Sequence, residues 1–322
     1  MGSFMVGSGS VCQAAEQSAW GTSKTPDTLL NMTSESITVS YQKGDEANLI
    51  AKKTASAKEL LAVVTEGGVS TILRPDFADW LFKVSLGKGT SGVYTLQDAN
   101  TDLPVSTLVM KRGSIVKTYP DCTIRSLTIE APAQDYVRAN IDLVGTKEIP
   151  AGGTGAQTIQ NLPSDGKSYR CTQATLLYGA GGTAEGSLVN SLCVENVTIT
   201  IDNGVEDSPA TYCSGLYNER PVPGQRSVTV DFNIPYSPVV EAFRAAYYAN
   251  EESPNVAMKL TFTTSDEDEK VEIYMPNINL TSGDGNVGGA GIIDSSFSGE
   301  ALSVGSEEPI TITVTHAEEG EE

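Results

Sequence analysis

A single histidine, His316, stands among the 322 residues. A Ser-His-Asp triad or a His-rich metal site has little to work with here, and His316 in an acidic tail reads as a solvent-exposed residue. Gly179-Ala180-Gly181-Gly182 has the glycine density of a phosphate loop. It lacks the Lys-Ser/Thr ending and the following helix, so it reads as a turn. Asp284-Gly285-Asn286-Val287-Gly288 opens like a calcium loop, but Ser295 occupies the place of the closing Glu. Gly288-Gly289-Ala290-Gly291 misses the Asp spacing of calcium-binding β-rolls. Asp266-Glu267-Asp268-Glu269 reads as a charged hairpin tip. The 41 acidic residues offer many carboxylate pairs, yet no spacing singles out one for hydrolysis. Cys12, Cys122, Cys171, Cys193 and Cys213 are odd in number and contain no C-x-x-C pair. That argues against a disulfide framework and a zinc site, and for a reducing compartment. No catalytic, cofactor-binding or metal-binding residue is assigned, and no enzymatic role is expected.

Charge narrows the classes further. The formal net charge is −20, whereas a protein that grips nucleic acid neutralises phosphates with Lys and Arg. Such a surface serves solubility, or faces DNA without adhering to it. Met1–Val6 has neither a basic region nor a long apolar run, so no secretory signal is expected. Val6 spoils the myristoylation pattern. No apolar stretch is long enough to span a membrane, and the sequons at Asn31, Asn196 and Asn279 are expected to carry no glycan.

The elements that would position these residues are mostly strands. Val, Ile and Thr recur in short runs, with Gly, Ser and Thr between them. Ser36–Tyr41 alternates with period two. Strand-like runs follow at 60–65, 69–73, 106–111, 122–130 and 136–144. Phe77, Trp80, Leu81 and Val84 fall on one helical face, opened by Pro75-Asp76 and closed by Gly87. Further strands are expected at 169–178, 194–202, 227–234, 256–263, 270–275, 295–302 and 310–315. Ser237-Pro238 sets a second helix start, with Val239, Val240, Phe243, Ala246 and Tyr247 on its apolar face.

The two halves present these elements in the same order. Ser36–Val39 matches Asn196–Ile199, Val69–Leu73 matches Val228–Phe232, and Val109–Lys111 matches Ala257–Lys259. The strand ending at Gly145 matches the one ending at Gly299-Glu300. An offset of about 150–160 residues marks a two-copy duplication. The expected fold is mainly β: two tandem β-sandwich or barrel domains, 34–148 and 168–302, each with one short flanking helix. Residues 1–33 form an extended arm, 149–167 a linker and 303–322 an acidic tail.

Glu16, Trp20-Gly21-Thr22, Pro26 and Ser34–Val39, in that order, resemble the opening of phage major tail (tail tube) proteins of long-tailed phages. The resemblance continues through Asp79-Trp80-Leu81, Leu86-Gly87, Ser126–Glu130, Gly145, Val194–Asn203, Tyr274-Met275-Pro276 and Phe297-Ser298, spanning about 10–303. It implies a non-enzymatic virion component, assembled in the host cytoplasm into a non-contractile tail. Strands of neighbouring subunits would form one barrel, and rings would stack around a lumen through which DNA is ejected without specific binding. Other tail proteins (tape measure, tail terminator, distal tail) would be partners; no cofactor or membrane is implied. With the duplication, a homotrimeric ring of pseudo-six-fold symmetry is expected, with a homohexamer as the alternative. The strands near 60–73 and 228–234 are expected at the lumen. A secreted or surface β-sandwich adhesion protein is the competing class, and a carbohydrate-active β-sandwich enzyme a third.

Overall fold

The computed structural model describes residues 7–45, 58–90, 92–96, 102–164, 166–205, 215–217, 219–238, 240–241, 243–244, 255–286 and 294–317. The first half contains β1 (Val11–Glu16), β2 (Thr28–Leu30), β3 (Met32–Glu35), β4 (Thr38–Asp45) and β5 (Lys58–Ile72). After them come α1 (Pro75–Leu86), β6 (Gly87–Thr90), β7 (Val93–Leu96), β8 (Ser106–Arg112), β9 (Ile115–Pro132), β10 (Arg138–Gly145) and β11 (Ile149–Pro150). The second half contains β12 (Arg170–Ala180), β13 (Asn190–Ser191), β14 (Asn196–Asp202), β15 (Ser227–Pro235) and β16 (Asn255–Thr263). It ends with β17 (Lys270–Asn286), β18 (Asp294–Ala301) and β19 (Thr311–Thr315). The fold is mainly β, and every ladder between these strands is antiparallel.

Two long strands organise the whole. The first part of β9 pairs with β8, which pairs with β1; its second part pairs with β10, which pairs with β5. β17 repeats this wiring: its first part pairs with β16 and then β12, its second with β18 and then β15. The agreement extends to single rungs. Val144 opposite Thr123 and Leu143 opposite Ile124 in β10·β9 reappear as Glu300 opposite Asn279 and Gly299 opposite Leu280 in β18·β17. Both ladders then slip by one residue, at Asp142/Leu143 and at Leu280/Ser282. A second irregularity recurs in β8·β9 and β16·β17, beside Pro120 and Pro276. Proline cannot donate to a ladder, and the N–H of Asp121 beside Pro120 donates instead to the Gln17 side chain at 2.9 Å.

The halves are joined edge to edge. β14 pairs with β15 on one side and with β9 on the other, from Asn196 opposite Pro132 to Asp202 opposite Ser126. The strand order β4-β5-β10-β9-β14-β15-β18-β17 is therefore one open, unclosed sheet. Alternation buries one face: Val197, Ile199, Ile201, Val228, Val230, Phe232 and Phe297 belong to a core shared with Leu127, Ile129 and Ile141. Each fully buried side chain of this kind contributes about 1.5–3 kcal/mol. α1 lies on this face, with Phe77, Leu81 and Val84 buried, and ends at Gly87 in the left-handed region (φ 90°). Pro238, Val240, Glu241, Phe243 and Arg244 are helical, and Val240 N–H donates to the Ser237 hydroxyl. Phe243 meets Phe297 edge-on at 5.2 Å. Val239, Ala246 and Tyr247 lie outside the described residues.

Three segments differ from the expectation. Cys12, Ala14 and Ala15, expected in an arm, are buried in β1 between β2 and β8. Small side chains let this strand lie close to its neighbours, a signal that hydrophobic periodicity does not carry. In the expected linker, residues 149–160 are strapped to the sheet by β11 and by Gln13, whose amide donates to the Gln160 carbonyl at 2.7 Å. The runs 60–65 and 69–73 are one strand, β5, passing through Gly67-Gly68. A Cβ on Gly67 (φ +139°) would lie 2.4 Å from the Ser36 carbonyl oxygen, so glycine here serves close approach and not a break.

Candidate assembly interface

The other face of the eight-strand sheet is polar. Ser70, Asn140, Thr128, Thr200, Thr229 and Glu300 form one row across it, linked rung by rung. Glu66, Glu130, Asp142, Asp202, Asp231, Asp294 and Glu300 share this face, against Arg138 and, at the irregularity, Arg125. Arg138 is held by Asp135 at 2.7 Å, and Arg125 lies 3.7 Å from Asp142. Partial burial raises the Asp142 carboxyl above its ordinary range, with Arg125 opposing. Asn140 donates to Glu130 at 3.0 Å, and the Thr128 and Thr200 hydroxyls meet at 3.3 Å across β9·β14. The wall thus presents hydroxyls, amides and excess negative charge. Such a surface hydrates readily and repels phosphate.

Two edges of this sheet end it. Among the described residues β4 has a ladder only with β5, and Thr281–Asn286 only with β18. An open edge presents unpaired N–H and C=O groups and is a template for another chain. On β4, Tyr41 is 60% exposed. At Ile37 the edge is guarded by charge. Ile37 N–H donates to the Glu35 carboxylate at 3.0 Å, and Arg112 donates to the Ile37 carbonyl at 3.1 Å. Arg112 also grips Glu35 through two donors, at 2.8 and 2.6 Å, and reaches the Tyr119 hydroxyl at 3.1 Å. Tyr119 donates in turn to Glu148, which pairs with Lys117. The Arg112 guanidinium holds the Glu35 carboxyl below the usual carboxylate range, and burial pushes the Tyr119 hydroxyl up to about 12. This clasp joins the edge strand to the tip of the β8–β9 hairpin. Sequence periodicity gives no sign of it, since Glu35 and Arg112 are far apart in the chain.

Asn203 locks the joint between halves. It is fully buried, donates its amide to the Ser85 and Ile124 carbonyls at 3.0 Å each, and donates N–H to Arg125. The helix α1, β9 and the end of β14 therefore meet at one side chain.

The motifs weighed for chemistry are scattered. His316 approaches Asp79 of α1, which also accepts from Tyr94 at 2.6 Å. Gly179–Gly182 turns out of β12, with Gly181 N–H donating to Asn255. Asp284-Gly285-Asn286 continues β17 opposite β18, while Val287–Gly291 lies outside the described residues. Asp266 and Glu269, in the β16–β17 connection, face Lys167 at 3.2 and 3.5 Å. Among the described residues no His/Cys/Asp/Glu group is placed to hold a metal ion. Cys12, Cys122, Cys171 and Cys193 are free thiols; burial raises Cys12 to about 12. No described helix is long and apolar enough to cross a membrane.

A comparison with curated proteins finds no match. A family model described as phage tail tube protein matches residues 7–301. That stretch takes in the polar-faced sheet, both edges and the clasp, and the chain belongs to the phage tail tube protein family.

Proposed function

We propose that this chain is the ring subunit of a non-contractile phage tail tube, and that its two halves act as two copies of one tube domain. The observation that carries the reading is the rung-by-rung repetition of the β5·β10·β9 wiring in β15·β18·β17. Units 34–148 and 168–302 then occupy equivalent places around an axis, and three chains give a ring of pseudo-six-fold symmetry. Eight strands per chain make a barrel of twenty-four. With strands about 4.8 Å apart and tilted by about 40°, its backbone diameter is about 48 Å. Closing the barrel removes both edges that the single chain leaves open.

The polar, acid-rich face lines the bore in this arrangement. β5 and β15 contribute to it, together with β10, β9, β14 and β18. DNA passes along a hydrated wall that offers few cations to grip phosphate, so ejection meets little friction. The role is structural and not enzymatic. Rings stack into a tube in the virion after assembly in the host cytoplasm, and tape-measure, terminator and distal tail proteins complete the tail. Electron microscopy of the purified full chain tests this. Rings or tubes with a central hole support it, and a protein that stays monomeric at high concentration overturns it.

A further inference from the structure

We infer that the junction between neighbouring subunits copies the β9·β14 junction within the chain, so that β4 of one protomer pairs antiparallel with residues 281–286 of a second copy, Thr38 opposite Asp284 and Ser40 opposite Ser282. The inference rests on the tube reading above and adds to it the partner edge and its register.

The register follows from the backbone ladders within the chain. β17 repeats β9 with each number raised by 156, as Thr123 to Asn279 and Ile124 to Leu280 show. β14 repeats the β3–β4 segment with each number raised by 162. Ser34 and Glu35 face Ser70 and Val69 of β5, as Asn196 and Val197 face Asn233 and Phe232 of β15. In the β9·β14 ladder Thr200 lies opposite Thr128, and Asp202 opposite Ser126. Transferring each strand to its counterpart gives Thr38 opposite Asp284 and Ser40 opposite Ser282.

The edges are suited to each other. Asn203 N–H bonds to Arg125 across the intrachain junction. By the alternation of antiparallel ladders, Thr128 and Thr200 then form a non-hydrogen-bonded pair, consistent with hydroxyls 3.3 Å apart. Their counterparts Thr38 and Asp284 inherit this close spacing. The outward groups of Val39 and Tyr41 are the ones the new ladder takes first. Those of Ile37 are held by Glu35 and Arg112, which keeps this part of the edge covered in the free chain. A head-to-tail junction of two different edges is heterologous, and it closes into a ring when the rotation across each junction is one-sixth of a turn, as the tube reading requires.

Disulfide trapping tests the register. Opposed Cα atoms of a non-hydrogen-bonded pair stand about 4.5 Å apart, within disulfide reach. The variants are Thr38→Cys/Asp284→Cys and Ser40→Cys/Ser282→Cys, in a full chain carrying Cys193→Ser and Cys213→Ser. Thr38→Cys/Ser282→Cys is the control for a two-residue slip. On mild oxidation of assembled tubes, both in-register pairs are expected to link at least about ten times more chain between subunits than the slipped pair. Tubes that assemble normally but link the slipped pair better, or neither in-register pair, overturn the register and leave the tube reading standing. A parent chain that forms no ring or tube overturns the tube reading and the inference with it. If one double variant fails to assemble, the other decides the outcome. Should both fail while the parent assembles, the single variants, mixed and cross-linked between chains, must give the same ordering or the register is wrong.

Discussion

Replacing Arg112 by Met keeps the aliphatic stem and removes the guanidinium, which opens the clasp on the β4 edge. Arg112 serves the Glu35 carboxylate twice, the Ile37 carbonyl and the Tyr119 hydroxyl. Hydrogen bonds to a charged group contribute about 1.5–3 kcal/mol, and breaking a fully buried ion pair costs about 3–5. The Glu35 side chain keeps 20% of its exposure and that of Arg112 32%, so water takes up part of the loss. The expected destabilisation at pH 7 is about 2–3 kcal/mol, or roughly 4–10 °C in Tm. The pH dependence carries a sign. In the parent, Glu35 lies below the ordinary carboxylate value because Arg112 grips it. Its stabilisation is therefore full above that ordinary value and declines as pH falls through the folded one. Without Arg112, burial dominates and raises the Glu35 carboxyl, so acidification relieves the variant. The difference between parent and variant should shrink as pH falls from 7 to about 4. Urea unfolding at low, fixed protein concentration, where assembly adds nothing, reads this directly. A difference below about 0.5 kcal/mol at pH 7, or one that stays constant with pH, would mean that Arg112 does not hold the edge through Glu35.

Three other outcomes are expected. Asn203→Ala leaves the buried Ser85 and Ile124 carbonyls without their donor, and chemical denaturation should show a loss of about 2–4 kcal/mol. Gly67→Ala sets a methyl against the Ser36 carbonyl at a φ of +139° and should cost more than about 2 kcal/mol; a thermal melt equal to the parent's would mean that β5 does not approach Ser36 so closely. Glu130→Lys with Asp202→Lys places cations on the polar face, so tubes of this variant should co-sediment with short duplex DNA at low salt and release it at high salt, while parent tubes bind none.

Much of the fold is written locally in the chain. Alternation marks β14, β15 and β18 because one face is core and the other polar, and Pro75, Ser237-Pro238 and Gly87 mark helix ends by their backbone restrictions. Register is written less plainly. Pairing Ser36 with Asn196, as the sequence suggests, is two residues out, since the ladders relate Ser34 to Asn196. Val69–Leu73 against Val228–Phe232 is out by four, because the ladders relate Val69 to Phe232. Both errors are even, and an even slip leaves every side chain on its proper face, so period-two reasoning has no means of detecting it. Irregularities beside Pro120 and Pro276, and at Leu280/Ser282, set the true register through backbone pairing. The clasp is hidden for a different reason: Glu35, Arg112, Tyr119 and Glu148 meet only after β3, the β8–β9 hairpin and the segment between β10 and β11 have come together.

Ring-averaged electron microscopy of the assembled full chain, combined with native mass of single rings, counts the chains and the tube domains around the axis. Three chains per ring, six near-equivalent densities around the axis and a barrel wall about 48 Å across are expected. Six chains per ring, which would need a wall about twice as wide at the same spacing and tilt, would contradict it.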